Sequence, residues 1–497
     1  EEAQQHVLQG LNHLHGGWEF EAARHFACAM QKDPDCLMAH WGLVMSLLDA
    51  SPEYAEARKA AVDRLLYLTD LNQASELEMG YAYGLIQYLS KGPNAAAIAL
   101  RKVAERFPND MQAAMLAALF SRGGYDVTGV ATPDQLASER QLLALMERFP
   151  DSTLPINALL VLRAEAPDVG ATLELARKLC QMDPGYAPAF HTLGHYEWRC
   201  GNPGRAVTAF SRCTTLYQNW MRQGGITVAD CPELVKAQSY RVVALLSMGD
   251  YDTACAAARQ VAATPLPQKR IESAGARALL WEAGTLPARI LIHRGLKEER
   301  IEASRSLPST DQVKATVKLS CAYLWIDGLR IALEAQQAID KQQLDKARLA
   351  AQALEQHIAM MDGTEKHAII LGERSEWLRA NRALKVLLGD LRGWIASAGP
   401  ADLRGTAYNW YASALEHQRR ESMFHPPMLL TPMAARIGRQ LLGEGRHEEA
   451  IARYREALRM FPGDVESLTG LRDALIAANK TDEAAAIGLQ IEQLKTP

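Results

Sequence analysis

A glycine, an alanine twelve residues later and an aromatic ring four residues after that recur along this chain. This frame restricts the fold more than any other feature. Gly10, Ala22 and Phe26 make the first copy, followed by Ala29 and Pro34. Gly194, Ala206 and Phe210 repeat it, with Phe190 and Leu193 ahead and Cys213 in the small-residue slot. Gly438, Ala450, Tyr454, Ala457 and Pro462 repeat it again, and Gly84, Ala96 and Pro108 form a weaker copy. The spacing has a mechanical meaning. A glycine on one helix lets a second helix approach closely, and an alanine early in the second helix fits that approach. The aromatic residue, one turn on and on the same face, fills the space between them. The closing proline stops the second helix and starts the next unit.

The rest of the chain has helical periodicity with Pro and Gly between segments, and no stretch alternates as a strand does. Helices are expected over 140–149, 171–182, 235–248, 253–263, 322–339, 344–361, 367–388 and 403–420, giving no more than about ten helical pairs. A break falls at Gly284-Thr285-Leu286-Pro287 and again over 296–312, which is charged and then carries Ser304, Ser306, Pro308 and Ser309. The organisation expected is an N-terminal array over 1–290, a connecting segment over 291–312 and further pairs over 313–497, forming one continuous superhelix.

The frame resembles the tetratricopeptide repeat, a helix–turn–helix of about 34 residues. A closer resemblance lies in DPDCLMAHWGLVMS, from Asp33 to Ser46, which is similar to the DPDCAMAYWG signature of a large bacterial family of tetratricopeptide-repeat proteins. FHPPMLLTPMAARIGRQLLGEGRHEEAIARYREAL, from Phe424, is similar to that family's ending, in which a PP-containing loop precedes a final repeat. The resemblance implies an all-α right-handed superhelix of stacked antiparallel helix pairs, a tetratricopeptide-like solenoid. It implies no established activity. Members of the family often look exported, so an exported or periplasmic location after signal-peptide removal is favoured over a cytoplasmic one. The chain beginning at Glu1 without a Met fits either a removed signal peptide or a trimmed sequence.

Composition excludes several classes. With 48% hydrophobic and 23% charged residues the chain can bury a large core. A net charge of −4 gives no electrostatic reason to expect nucleic acid or an anionic membrane. No apolar run reaches the ~18 residues a membrane span needs. The eight cysteines contain no CxxC and read mostly as small core residues, although their even number is compatible with an oxidising compartment. Asn479-Lys480-Thr481 fits the glycosylation pattern, which arises often by chance. There is no phosphate-binding GxxxxGK[ST], no HExxH and no GxSxG, so no catalytic residues are nominated and a non-enzymatic protein is expected.

The best local constellation is HTLGHYEWR, from His191 to Arg199. His191 and His195 share one helical face, with Trp198 next on that stripe and Arg199 beside it. By resemblance to other tetratricopeptide arrays, this face lines the concave groove. Trp41 and Met45 occupy the matching stripe of an earlier helix. Trp41, Met45, His191, His195, Trp198 and Arg199 are therefore the expected groove residues, with aromatic and Arg anchors carrying most of the binding. Two histidines one turn apart can also hold zinc or copper if a third ligand arrives, but lining or partner contact is the preferred reading of His191 and His195, and no cofactor is expected.

A second cluster lies at the N-terminus, where His6, His13, His15, His25 and His40 are five of the 13 histidines, with Cys28 and Cys36 among them. Imidazole and thiolate suit zinc or copper. Because no pair has ligand spacing, structural roles are preferred here, with His25 on the outer side of its helix. Phe424-His425-Pro426-Pro427 reads as a rigid turn rather than a ligand motif. Tetratricopeptide arrays that hold the acidic C-terminus of a chaperone use Lys and Asn on the groove stripe, and this chain does not have them there. The expected function is a scaffold that holds a protein or peptide segment in its groove. The alternatives are a metal- or small-molecule-binding protein using the groove histidines, and a structural spacer in an envelope assembly.

Overall fold

In a computed structural model of the chain, the described residues are 1–48, 52–126, 129–309, 321–370, 374–419 and 423–495. They form helices joined by short turns. Among them, the one strand-like pairing is an isolated bridge between Tyr125 and Ala131. The fold is an all-α repeat of antiparallel helix pairs. It divides into two compact units, Glu1–Tyr196 and Glu197–Pro497.

The recurring frame performs the packing its spacing predicts. The first pair is Glu2–His15 and Glu19–Lys32. Ala22, Phe26 and Ala29 face the partner helix and are buried. The Phe26 ring lies against Gly10, where an added Cβ would sit 2.8 Å from it, and against Gly42 of the next pair, where a Cβ would sit 2.2 Å from it. One ring thus locks three helices. Tyr454 does the same near the C-terminus, gripped by Gly438 and by Gly470 at 3.1 and 2.3 Å from the corresponding Cβ positions. Leu100 fills the slot in the weaker copy, against Gly84. The turns between paired helices demand glycine where φ is positive, as at Gly17 (+81°) and Gly445 (+78°).

In the first unit, successive helices pack from Glu2–His15 to Leu173–Met182, and first helices of neighbouring pairs touch one another. The row curls until the helix Thr153–Arg163 meets the first helix. There Asn157 Nδ2 donates to the His15 carbonyl at 2.8 Å, and His15 Nε2 pairs with Gln112 Oε1 at 2.9 Å. Tyr186 Oη donates to the His13 carbonyl at 3.4 Å. The His15 carbonyl and side chain at the end of the first helix are thereby satisfied by distant residues, and the His13 carbonyl accepts the Trp18 N–H as well, at 2.9 Å.

In the second unit, most expected helices appear near their expected bounds, as at Pro232–Ser247, Tyr251–Ala262, Cys321–Asp340 and Leu344–Asp362. The helix expected over 367–388 has its described parts in Glu365–Ile370 and Arg374–Ala398, and 371–373 lie outside the described residues. One differs. The helix expected over 403–420 is two pieces, Ala401–Arg404 and Ala407–His417, divided at Gly405-Thr406, where glycine is a poor helix former and Thr406 Oγ1 bonds the Leu403 carbonyl. The charged stretch expected to connect two arrays holds the end of Leu286–Arg294 and the short helix Arg300–Arg305, and its residues 310–312 lie outside the described ones. Arg300 is buried and pairs with Asp340 at 3.1 Å. The helix before the Gly284 break ends in a π-helical turn, Leu279–Ala283.

The proline loop before the last repeats is held by three donors on consecutive carbonyls. Tyr240 Oη donates to His425 O at 2.7 Å, Arg379 to Pro426 O at 2.6 Å and Arg289 to Pro427 O at 2.7 Å. The Glu282 carboxylate lies 3.0 Å from Arg379 and 3.8 Å from Arg289, all three side chains being nearly or fully buried. Prolines have no N–H to give the ladder, so the loop is fixed through its acceptors instead. Among the described cysteines, Cys28, Cys36, Cys180, Cys231 and Cys255 are free.

Candidate functional site

The residues expected in the groove lie largely inside the protein. Trp41 sits in Leu37–Ser46, a helix apolar on almost every side. It is 1% exposed, its Nε1 donates to the Tyr81 carbonyl at 3.0 Å, and its ring meets Tyr81 edge-on at 5.3 Å. Met45 is half-buried against the same apolar cluster. His191 and His195 are buried, His195 completely. Trp198 is 2% exposed, donates through Nε1 to Ser247 Oγ at 3.1 Å and meets the Tyr240 and Phe461 rings edge-on. Arg199 is buried too. The physical reason is the closeness the glycines permit. When first helices of adjacent pairs touch, the stripe beside the Gly/Ala face is covered along with that face. A partner would reach these side chains only after they left the interior.

The open concavity of the first unit lies elsewhere. It is a cleft of about 440 Å³ where the first helix, the start of Thr153–Arg163 and the turn into Ala187–Arg199 converge. Gln9, Asn12 and His13 line one side, Asp151 and Asn157 another, and Asp183 and Tyr186 a third. The sequence supplies each locally. Gln9, Asn12 and His13 are one turn apart on the first helix, Asp151 stands just before a helix capped by Ser152, and Asp183 caps the end of Leu173–Met182. Tyr186 lies across Gly16, where any Cβ would strike its hydroxyl, and meets His13 face to face at 5.9 Å. Among the described lining residues there are two carboxylates and no Lys or Arg. The cleft is therefore an acceptor-rich surface with an aromatic floor, suited to a donor-rich or cationic group. Of these lining positions only His13 stood out in the sequence, as one of the N-terminal histidines, because the others come from three separate parts of the chain and share no spacing.

The N-terminal histidines separate into two groups. His15 is fully buried, and burial pushes its imidazole down to about 4, the Gln112 hydrogen bond opposing. His40 pairs with the Pro34 carbonyl at 2.9 Å, bracing the turn into the third helix. Cys36 precedes that helix, its thiol raised by burial. His6, His13 and His25 instead gather between the first two helices, with Glu21 beside them.

Fold and cleft together define a helical-repeat protein with a polar, ligand-sized concavity. Residues 441–491 match the tetratricopeptide-repeat family. That stretch holds Tyr454 and Gly470, one side of the Tyr454 lock, and the match supports tetratricopeptide architecture and a general protein-interaction role. Among solved structures, the tetratricopeptide domain of P58(IPK) aligns at 13% identity over 97% of this chain and 99% of that one, with a TM-score of 0.22. The human IFIT1 dimer with m7Gppp-AAAA aligns at 10% identity over 93% of this chain and 90% of that one, with a TM-score of 0.36. Superpositions this loose carry no argument about the present chain. Among curated proteins, none matches the sequence. Among the described residues, no helix is long and apolar enough to cross a membrane.

Proposed function

We propose that the chain is a non-enzymatic interaction scaffold whose first unit holds a protein segment in the cleft beside His13 and Tyr186, through a Lys or Arg side chain of that segment. The observation that carries this reading is the lining itself: Asp151 and Asp183 with amide groups around them, an aromatic floor, and no basic residue among the described lining residues. The volume, about 440 Å³, is in the range of a bound side chain with its flanking peptide. A charged hydrogen bond from the guest to either carboxylate contributes about 1.5–3 kcal/mol, enough for specificity but not for affinity alone. The net charge of −4 supports a protein rather than a nucleic-acid partner.

The proposal includes membership among bacterial tetratricopeptide proteins with the DPDCAMAYWG-like signature. The Asp33–Ser46 stretch supports it, since there the signature's first residues form the turn. Asp33 Oδ1 accepts the Asp35 N–H at 3.0 Å, and the rest form the third helix.

The test is peptide selection on the full chain from a random displayed library, followed by calorimetry on the winners. Selected peptides should be rich in Lys or Arg, weaken with added salt and lose about tenfold in affinity to Asp183→Asn and Asp151→Asn. Selection of acidic peptides, or binding indifferent to both substitutions, would sink the proposal.

A further inference from the structure

The first two helices bring together a set of side chains that the sequence keeps apart. His6 and His13 stand seven residues apart on the first helix, and Glu21 and His25 four apart on the second. Both spacings put their members on one helical face. The Gly10–Phe26 lock sets the two helices close enough for those faces to meet. His13, Glu21 and His25 each offer one ligand atom within 4.8 Å of the others, and all three are half-buried.

We propose that His13, Glu21 and His25 bind a divalent zinc-type ion, with His6 as a positioning residue behind His25. Four observations support this. First, two imidazoles and a carboxylate are a donor set zinc accepts, leaving a tetrahedral ion one position for water. Second, His25 is already held by His6. His25 Nδ1 lies 3.3 Å from His6 Nδ1, so the tautomer that donates this bond turns Nε2 towards Glu21 Oε1, 3.9 Å away. Third, Glu21 is already oriented. Arg24 takes its Oε2 at 2.8 Å and leaves Oε1 facing the cluster. Fourth, His13 Nδ1 is buried with no hydrogen-bond partner among the described residues, an uncompensated polar atom that a metal would satisfy.

Burial holds both His13 and His25 below the ordinary histidine range, His25 adding to the effect on His13. Both rings are therefore neutral and hold lone pairs at neutral pH. The geometry without the ion is open. Ligand atoms around tetrahedral zinc lie about 3.3 Å apart, and the His13 and His25 rings now stack nearly parallel, 5.3 Å apart at 10°. Binding must turn both rings out of this stack so that their in-plane lone pairs converge on one ion, a change of side-chain rotamer. The two sites meet at His13, which also lines the cleft, whereas Glu21 and His25 do not, so zinc binding measured without any peptide tests this site by itself.

The experiment is calorimetric titration of the metal-free full chain with zinc chloride, alongside His25→Ala, Glu21→Gln and His6→Gln. Melting of each metal-free variant shows that it is folded. The expected result is one zinc per chain, with affinity lowered at least 100-fold in His25→Ala and about 10- to 100-fold in Glu21→Gln and His6→Gln. Cobalt in place of zinc should give the visible absorption of a tetrahedral ion, lost in His25→Ala. If His25→Ala proves unfolded, Glu21→Gln, a near-isosteric change, carries the test. No stoichiometric zinc in the parent chain, several weak equivalents only, or one zinc bound equally by the variants would each overturn the proposal.

Discussion

Replacing Gly42 with alanine tests whether one aromatic ring locks three helices. Gly42 is in the interior of Leu37–Ser46, a position where alanine ordinarily favours the helix by about 0.5–1 kcal/mol. Here the added Cβ would meet Phe26 ring carbons at 2.2, 2.2 and 2.5 Å. Carbon atoms rest at about 3.5–4.0 Å, so the ring must retreat by more than ~1 Å. It cannot slide away freely, because the Gly10 backbone lies against the same ring, too close to admit even a methyl group. The clash should outweigh propensity and destabilise the first unit by about 1–3 kcal/mol, the usual range for overpacking. Gly488 is the control, a helical glycine with nothing within 4 Å of its Cβ position. Gly488→Ala should stabilise by a few tenths to about 1 kcal/mol. A chain of this size need not unfold in one step, so the readout is hydrogen exchange in the 37–46 segment together with the urea midpoint. Gly42→Ala combined with Phe26→Leu should recover much of the loss, because the smaller side chain frees the space the methyl needs. If Gly42→Ala is as stable as the parent, or gains like Gly488→Ala, the ring is not locked and the frame has another cause.

Other perturbations reach different parts of the fold. His15 has a folded-state value of about 4 against 6.5 unfolded. The unfolded chain then binds the proton first, and stability that is complete above 6.5 is lost as pH falls towards 4. From about pH 7.5 to about pH 5 the loss should be about 2 kcal/mol. In His15→Gln this part of the pH dependence should vanish in urea titrations, and an NMR titration placing His15 near 6.5 would refute it. Glu282→Ala strands two buried guanidiniums beside the proline loop. It should cost about 3–5 kcal/mol in the second unit, and an unchanged melting temperature would count against that network. Trp41→Ala should cost about 3–5 kcal/mol as a core deletion, whereas a stable variant that loses only partner binding would return Trp41 to the groove.

The repeat was plain in the sequence because its determinants are local. Gly10 to Phe26 and Gly438 to Tyr454 each span one helix pair, and short-range spacing alone sets which faces of such a pair meet. Even so, the sequence showed only one side of each lock. Gly42 and Gly470 close the other side from the next pair, 32 residues beyond Gly10 and Gly438, and the frame of a single pair does not include them. The helix break at Gly405 was missed where apolar periodicity ran through a weak helix former.

The candidate site was less legible. Helical spacing correctly put His191 and His195 on one stripe, but spacing cannot say whether a stripe faces solvent or a neighbouring pair. That depends on how closely consecutive pairs approach, and here the approach buries Trp41, His195 and Trp198. The cleft was invisible for the complementary reason. Its members join only after small rotations between pairs have accumulated into a curl that returns Asn157 and Tyr186 to the first helix. The N-terminal histidines stood out by their number, but spacing along each helix did not show that His13 and His25 meet across the first pair. By itself the sequence determined that this chain folds as stacked helix pairs, because that follows from contacts a few residues apart. Only the tertiary structure decided which faces stay open and which ionisable groups meet, because those are sums over many pairs and no one segment encodes them.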